Sequence, residues 1–222
     1  MTRLRPAHAG FTMIELMIVV TLMAILAAFA FPAFQSFIAS SRLTAESNEL
    51  LSGMNLARSE AVRVQRRVVL CRAAAADGVV NFSATNGCVT TADSQPWQAW
   101  AVFVDGTTDP NGVFDSSDRI VRLHAISGNA LSLISDDVLA AAENRISFRP
   151  DGMARGQGSM ALQSADVRVC DQSGVLSTNN MRVVELRSGS RMSVVRGTSA
   201  TCGVTVQPVE EGGGGSTPVE GS

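Results

Sequence analysis

The sequence predicts an α+β protein: one long N-terminal helix packed on an antiparallel β-sheet domain. Residues 11–31 are apolar except for Thr12, Glu15 and Thr21, and residues 33–65 continue at helical spacing. Beyond residue 66 the pattern becomes short alternating runs separated by Gly-, Asn-, Asp- and Ser-rich turns, the pattern of antiparallel strands.

Residues 1–10 form a short leader with Arg3 and Arg5 ahead of the apolar run, the charge placement expected on the cytoplasmic side of a membrane segment. At about 1.5 Å per residue, Phe11 to Phe31 spans about 31 Å as a helix, enough to cross a bilayer's hydrocarbon core. Glu15 is the one ionisable side chain in it. An ionised carboxylate there costs at least roughly 3 kcal/mol and therefore needs a partner. A secretory signal does not fit, because its apolar core is shorter and its small-residue cleavage site follows that core.

A basic leader ending in Gly10, then Phe11-Thr12-Met13-Ile14-Glu15 and an apolar helix, resembles the class III signal of type IV pilins and type II secretion pseudopilins. The resemblance implies cleavage between Gly10 and Phe11 by a membrane prepilin peptidase, with methylation of the new amino terminus at Phe11. It also implies that Glu15 meets the N-terminal ammonium of a neighbouring subunit during assembly. Two buried opposite charges on different subunits compensate each other, and a shifted register leaves both unpaired. Pro32 interrupts the helical ladder, and pilins of this type exploit that break on entering a filament.

In residues 33–65 an apolar stripe of Leu50, Met54, Ala57 and Ala61 is spaced to lie on a sheet, with Arg42, Glu46, Glu49, Arg58, Glu60 and Arg63 on other faces. The helix thus divides into a membrane and assembly half, 11–32, and an amphipathic half, 33–65. The β-rich domain, 66–209, is placed in the periplasm. The segment 57–71, ARSEAVRVQRRVVLC, resembles the helix end and first strand of GspH/FimT-type minor pilins. The type IV pilin fold is what that resemblance implies.

Residues 73–76 with Asp77-Gly78 read as a turn, and 79–96 as a loop or slight hairpin. Residues 97–104, WQAWAVFV, are apolar on both faces and read as a central strand, paired after an acidic loop with 119–126. The W-x-x-W-x-V-F-x-D block is again similar to GspH/FimT proteins. Residues 131–142 hold a strand and a short helical turn, and 145–148 a strand entering the Pro150-Asp151-Gly152 turn. Residues 166–170 and 181–186 form an alternating pair, with 192–195 and 204–206 as the last strands. From 210 on the composition predicts a flexible tail, and its GGGGS matches a common engineered linker.

All 18 basic residues are arginine. Loss of the leader leaves a net acidic chain, so it is not a globally basic nucleic-acid binder. Cys71, Cys88, Cys170 and Cys202 allow three pairings. The sequential one, Cys71–Cys88 and Cys170–Cys202, is favoured because each pair brackets one hairpin or terminal segment. Zinc is the rival, but no pair has C-x-x-C spacing and the only histidine after the leader is His124, read as structural.

Asp105, Asp109, Asn111, Asp115 and Asp118 raise a calcium reading. As an EF-hand the loop fails, with Pro110 at the sixth position and Ser116 at the twelfth. A solvated loop with Asx turns is preferred, and no metal or cofactor is expected. The FimT branch carries a basic G-R-x-R element near its C-terminus; here RSGSRMSVVRG places Ser190 and Met192 where those arginines would fall. Arg187, Arg191 and Arg196 still form a basic cluster with no acid between them, a DNA-contact candidate set against a plain hairpin with exposed arginines.

No nucleophile elbow, phosphate loop or metalloprotease motif occurs, so the chain is expected to be no enzyme but the substrate of one. The expectation is an inner-membrane, single-pass minor pilin that incorporates into or primes a type IV pilus, with other pilins as partners. The alternatives are a minor pseudopilin of a type II secretion system and a DNA-binding pilin for transformation; a major pilin is disfavoured.

Overall fold

A computed structural model describes residues 11–200 except 94, 107–110 and 127. Helix α1, Met13–Val64, starts at Thr12, whose side chain accepts from the backbone N–H of Glu15 (3.2 Å), and ends at Gln65 in a left-handed conformation. It runs through Pro32, which lacks an N–H for the carbonyl four residues back.

The β-strands form two antiparallel sheets. In the first, β1 (Val68–Ala76) pairs along one edge with β3 (Ala99–Val104), which pairs with β4 (Arg119–Ala125). The other edge of β1 is shared in succession by β6 (Arg145–Phe148) and β2 (Val79–Asn81). The second sheet has the order β5 (Leu131–Ser135), β7 (Ala165–Asp171), β8 (Met181–Arg187), β9 (Arg191–Gly197). Helix α2 (Asp137–Ala141) follows β5, capped by the Asp136 carboxylate on Leu139 N–H. A bridge from Trp97 to Leu133 joins the sheets.

The expected stripe Leu50, Met54, Ala57 and Ala61 is fully buried, and Leu43 and Ser47 extend it. It packs with Trp100, Val102 and Leu70 of the first sheet and Leu133, Val167, Val184 and Leu186 of the second in one core. Each large aliphatic side chain buried there contributes about 1.5–3 kcal/mol. Both faces of β3 are covered, as its sequence implies. Ala99, Ala101 and Phe103 turn the other way, onto Val69, Cys71, Phe82 and Phe114. On that second face the Cys71–Cys88 disulfide ties the 82–96 segment across β1.

One expectation needs correction. Residues 73–76 belong to β1 and not to a turn, because Ala73 pairs with Ala99 and residues 74–76 pair with β2. Asp77 and Gly78 alone, both at positive φ, make the two-residue hairpin connection. Glu60, off the apolar stripe as expected, is itself buried at the helix–β4 boundary. Cys170 has no free thiol, while Cys202 and the strand expected at 204–206 lie outside the described residues.

Candidate functional site

The functional element is α1 itself, half docked and half bare. Among the described residues the first one on α1 to be buried is Ala39; Phe11 and Glu15 near the start, and Phe29, Phe31, Phe34 and Phe37 further along, are exposed. Only this helix, among the described residues, is long and apolar enough to cross a membrane, and its most apolar window touches nothing in the domain. Such a surface lies beyond what a soluble monomer leaves in water and marks a membrane or protein contact. Thr12 and Glu15 have the S/T-x-x-E spacing of a capping box, of which the structure forms the half from the Glu15 N–H to the Thr12 hydroxyl. Gly10 lies outside the described residues.

The docked half is fixed by a row of charges facing β4. Glu46, Glu49 and Glu60 recur along α1 beside His124, Arg122 and Arg119. His124 Nε2 lies 3.0 Å from Glu46 Oε1 and its Nδ1 3.6 Å from Glu49 Oε1. The Glu46 carboxylate, with Glu49 behind it, raises the imidazole's pKa against the opposing effect of burial. The ring stacks on Trp100, with centroids 5.1 Å apart, and the Arg122 guanidinium lies over the same indole. Arg63 holds Glu60 through two hydrogen bonds of 2.7 and 2.6 Å, and Arg119 adds a third. Arg63 and then Arg119 lower the Glu60 pKa to about 2. The expected structural role for His124 therefore has a geometry, and sequence spacing alone did not reveal its acidic partners on the helix.

The acidic loop uses its carboxylates on its own backbone. Asp105 is buried and accepts from Gly112 N–H (2.9 Å) beside Arg67 (3.4 Å), and burial raises its pKa. Asp118 accepts from Asp115 N–H (2.9 Å), Asp115 from Ser117 N–H (2.6 Å) and Asn111 from Val113 N–H (2.7 Å). The Asn111 and Asp115 bonds are Asx-type turns, whereas Asp118 reaches back three residues and Asp105 is buried and not solvated. Asp109 lies outside the described residues.

Of the basic cluster, the structure sets Arg187 beside Arg191 and carries Arg196 to the other end of the hairpin. Arg187 is ion-paired with Asp166 (Nη2–Oδ2 3.0 Å) and Glu185 (3.2 Å), acids that neighbour it in the sheet, so the cluster loses one free cation. Arg191 is the cross-strand partner of Arg187, whereas Arg196 is that of Arg182 at the other end of the hairpin. Gly189, between Arg187 and Arg191, sits at φ +70° with its N–H bonded to the Gln163 carbonyl (2.8 Å). A Cβ there would meet the Ala154 carbonyl at 2.5 Å, so the hairpin tip is held against the 146–156 segment.

The model of a prokaryotic N-terminal methylation motif matches residues 5–31, and that described as type II transport protein GspH matches 46–189. Among curated relatives, the type IV major alpha-pilin of Moraxella bovis is 53% identical over 47 residues, 21% of this chain and 30% of that protein. The fimbrial protein of Moraxella nonliquefaciens is 37% identical over 90 residues, 40% of this chain and 58% of that one. Both matches span less than two thirds of the relative's length. Among solved structures, the type IV minor pilin FimU of Pseudomonas aeruginosa aligns at 17% identity with a TM-score of 0.43, over 72% of this chain and 92% of that one. With the methylation motif ahead of the domain and the GspH model covering most of the chain, this protein belongs to the GspH family of pilin-like proteins.

Proposed function

We propose that the chain is a structural minor pilin that enters or primes a type IV pilus after cleavage at Gly10–Phe11 and methylation of Phe11. The observation that carries this is the division of α1: a bare apolar half with one acid, continuous with a half locked to the domain. The bare half serves first as a bilayer anchor in the inner membrane, with the domain on the periplasmic side, and then as the packing surface among neighbouring pilins. Pro32 lies between the two uses, where one missing hydrogen bond eases local bending. The chain is a subunit and a peptidase substrate, not a catalyst. The ion-paired state of Arg187 argues against a DNA-capturing role.

A second reading, a minor pseudopilin of a type II secretion system, is favoured by the description of the matching family model as a transport protein. Deletion of the chain in its own host separates the two. Loss of surface pili with secretion intact supports the pilus reading; loss of type II secretion with pili intact supports the other.

A further inference from the structure

The loop between β7 and β8, residues 172–180, reads Gln-Ser-Gly-Val-Leu-Ser-Thr-Asn-Asn and carries no charge. Leu176 packs on the core and anchors it, while the tip residues Ser173, Gly174 and Val175 are exposed. Asp171, the acid at its base, is buried, and its carboxylate accepts from the Ser173 backbone and hydroxyl, so the loop presents no free anion. Ser173 and Val175 line one cleft with Gln35, Ile38, Ala39 and Arg42 of α1. The loop tip therefore lies at the level of α1 residues that come one to three turns after the end of the apolar run at Phe31.

A hydrocarbon core of about 30 Å takes about 20 helical residues, and the headgroup zone adds about 5–8 Å on each side. If residues 11–31 fill the core, Gln35, about 6 Å past Phe31, falls in the headgroup zone beside the exposed Phe34, and Ile38, about 10 Å past, stands just above it.

We propose that the 172–180 loop is a second membrane contact: its Val175 tip rests in the headgroup zone of the bilayer that α1 spans, and sets the tilt of the domain before assembly. The contact rests on the reading of α1 as a membrane anchor. Its occupant is phospholipid, because the loop is continuous with the bare apolar surface of the helix, lacks charge and is flanked by a cation. A single exposed valine contributes little alone; next to an anchored helix it adds without further loss of translational freedom.

The test uses the full chain in phosphatidylcholine vesicles with Val175→Trp. Trp97 and Trp100 are buried and supply the background. Flotation with the vesicles reports the anchor reading on its own. In floated protein, lipids brominated high on their acyl chains should quench the introduced indole at least about twofold more than the native pair, with little quenching by aqueous iodide. Bromolipid quenching no greater than the native background overturns the proposal, whether iodide quenches (the tip is in water) or does not (another protein copy covers it).

Discussion

Gly53 of α1 lies flat against the indole of Trp100: a Cβ at this position would fall 2.7 Å from Cη2 and 2.8 Å from Cζ3. The absent side chain lets β3 approach the helix until the ring fills the space. Trp100 in turn carries His124 on its ring, so the fit at Gly53 also fixes the charged row between α1 and β4. In an exposed helix interior, replacing Gly with a larger residue usually stabilises. Here Gly53→Val should destabilise the domain by about 2–3 kcal/mol, because overpacking against a buried ring outweighs the gain in propensity. Urea unfolding of the full chain in detergent, followed by circular dichroism, checks it.

His124 gives stability a pH dependence near neutrality. Its folded-state pKa is raised above the ordinary 6.5, first by the Glu46 carboxylate. Its contribution is therefore complete below 6.5 and is lost as pH rises through the folded value. Thermal unfolding should show the midpoint falling over that window, and Glu46→Gln should flatten the fall. A slope unchanged in the variant rules out this pair as its source.

Glu60 acts on the acid side. Its pKa is lowered from 4.5 to about 2 by Arg63 and Arg119, so its contribution is present above 4.5 and is lost as pH falls toward 2. Arg63 and Arg119 keep 66% and 56% of their side-chain surface in water. Glu60→Gln should therefore cost only about 1 kcal/mol at neutral pH while flattening the acid limb of the stability curve. Acid titration of both proteins by circular dichroism tests this.

The cysteine arrangement is tested by non-reducing peptide mapping, which should recover Cys71 joined to Cys88 and, as we propose, Cys170 joined to Cys202. The first bridge closes a separation of 17 residues, worth about 3 kcal/mol in the chain-entropy account. Cys71→Ser with Cys88→Ser should lower stability by about that much, and more if the hydroxyl at the fully buried position 71 finds no partner.

What was legible in the sequence was whatever a local pattern encodes. The stripe of Leu50, Met54, Ala57 and Ala61 and the two apolar faces of β3 follow from periodicity, and the Asx turns of the acidic loop follow from residue type. What was not legible depends on residues far apart in the chain. An alanine run at 73–76 has no strand preference of its own and becomes a strand because β3 and β2 lie on either side of it. Arg187 looks free within 187–197, and only the registry of β7 and β8 brings Asp166 beside it. Glu60 looks solvated until β4 supplies Arg119.

Glu15 allows two accounts of the α1 start, and they predict different outcomes. Thr12 already accepts from the Glu15 backbone N–H, the first half of a capping box, so a purely local role needs only a side chain that can reach back to the Thr12 N–H. Glutamine meets that need as well as glutamate. If capping is the whole role, Glu15→Gln should assemble normally and Glu15→Ala should lose about 0.5–2 kcal/mol of helix-end stability. If, as we propose, the carboxylate pairs with the Phe11 ammonium of a neighbouring subunit, both variants should insert in the membrane yet fail to enter the filament or tip complex. The neighbour's amine would then be buried without its counter-charge, a loss of about 3–5 kcal/mol, or more than a hundredfold in assembly. Crosslinking to partner pilins in membranes reads the outcome, with intact mass first verifying loss of ten residues and gain of one methyl. Wild-type crosslinking by Glu15→Gln would leave the capping account standing and remove charge pairing from the mechanism.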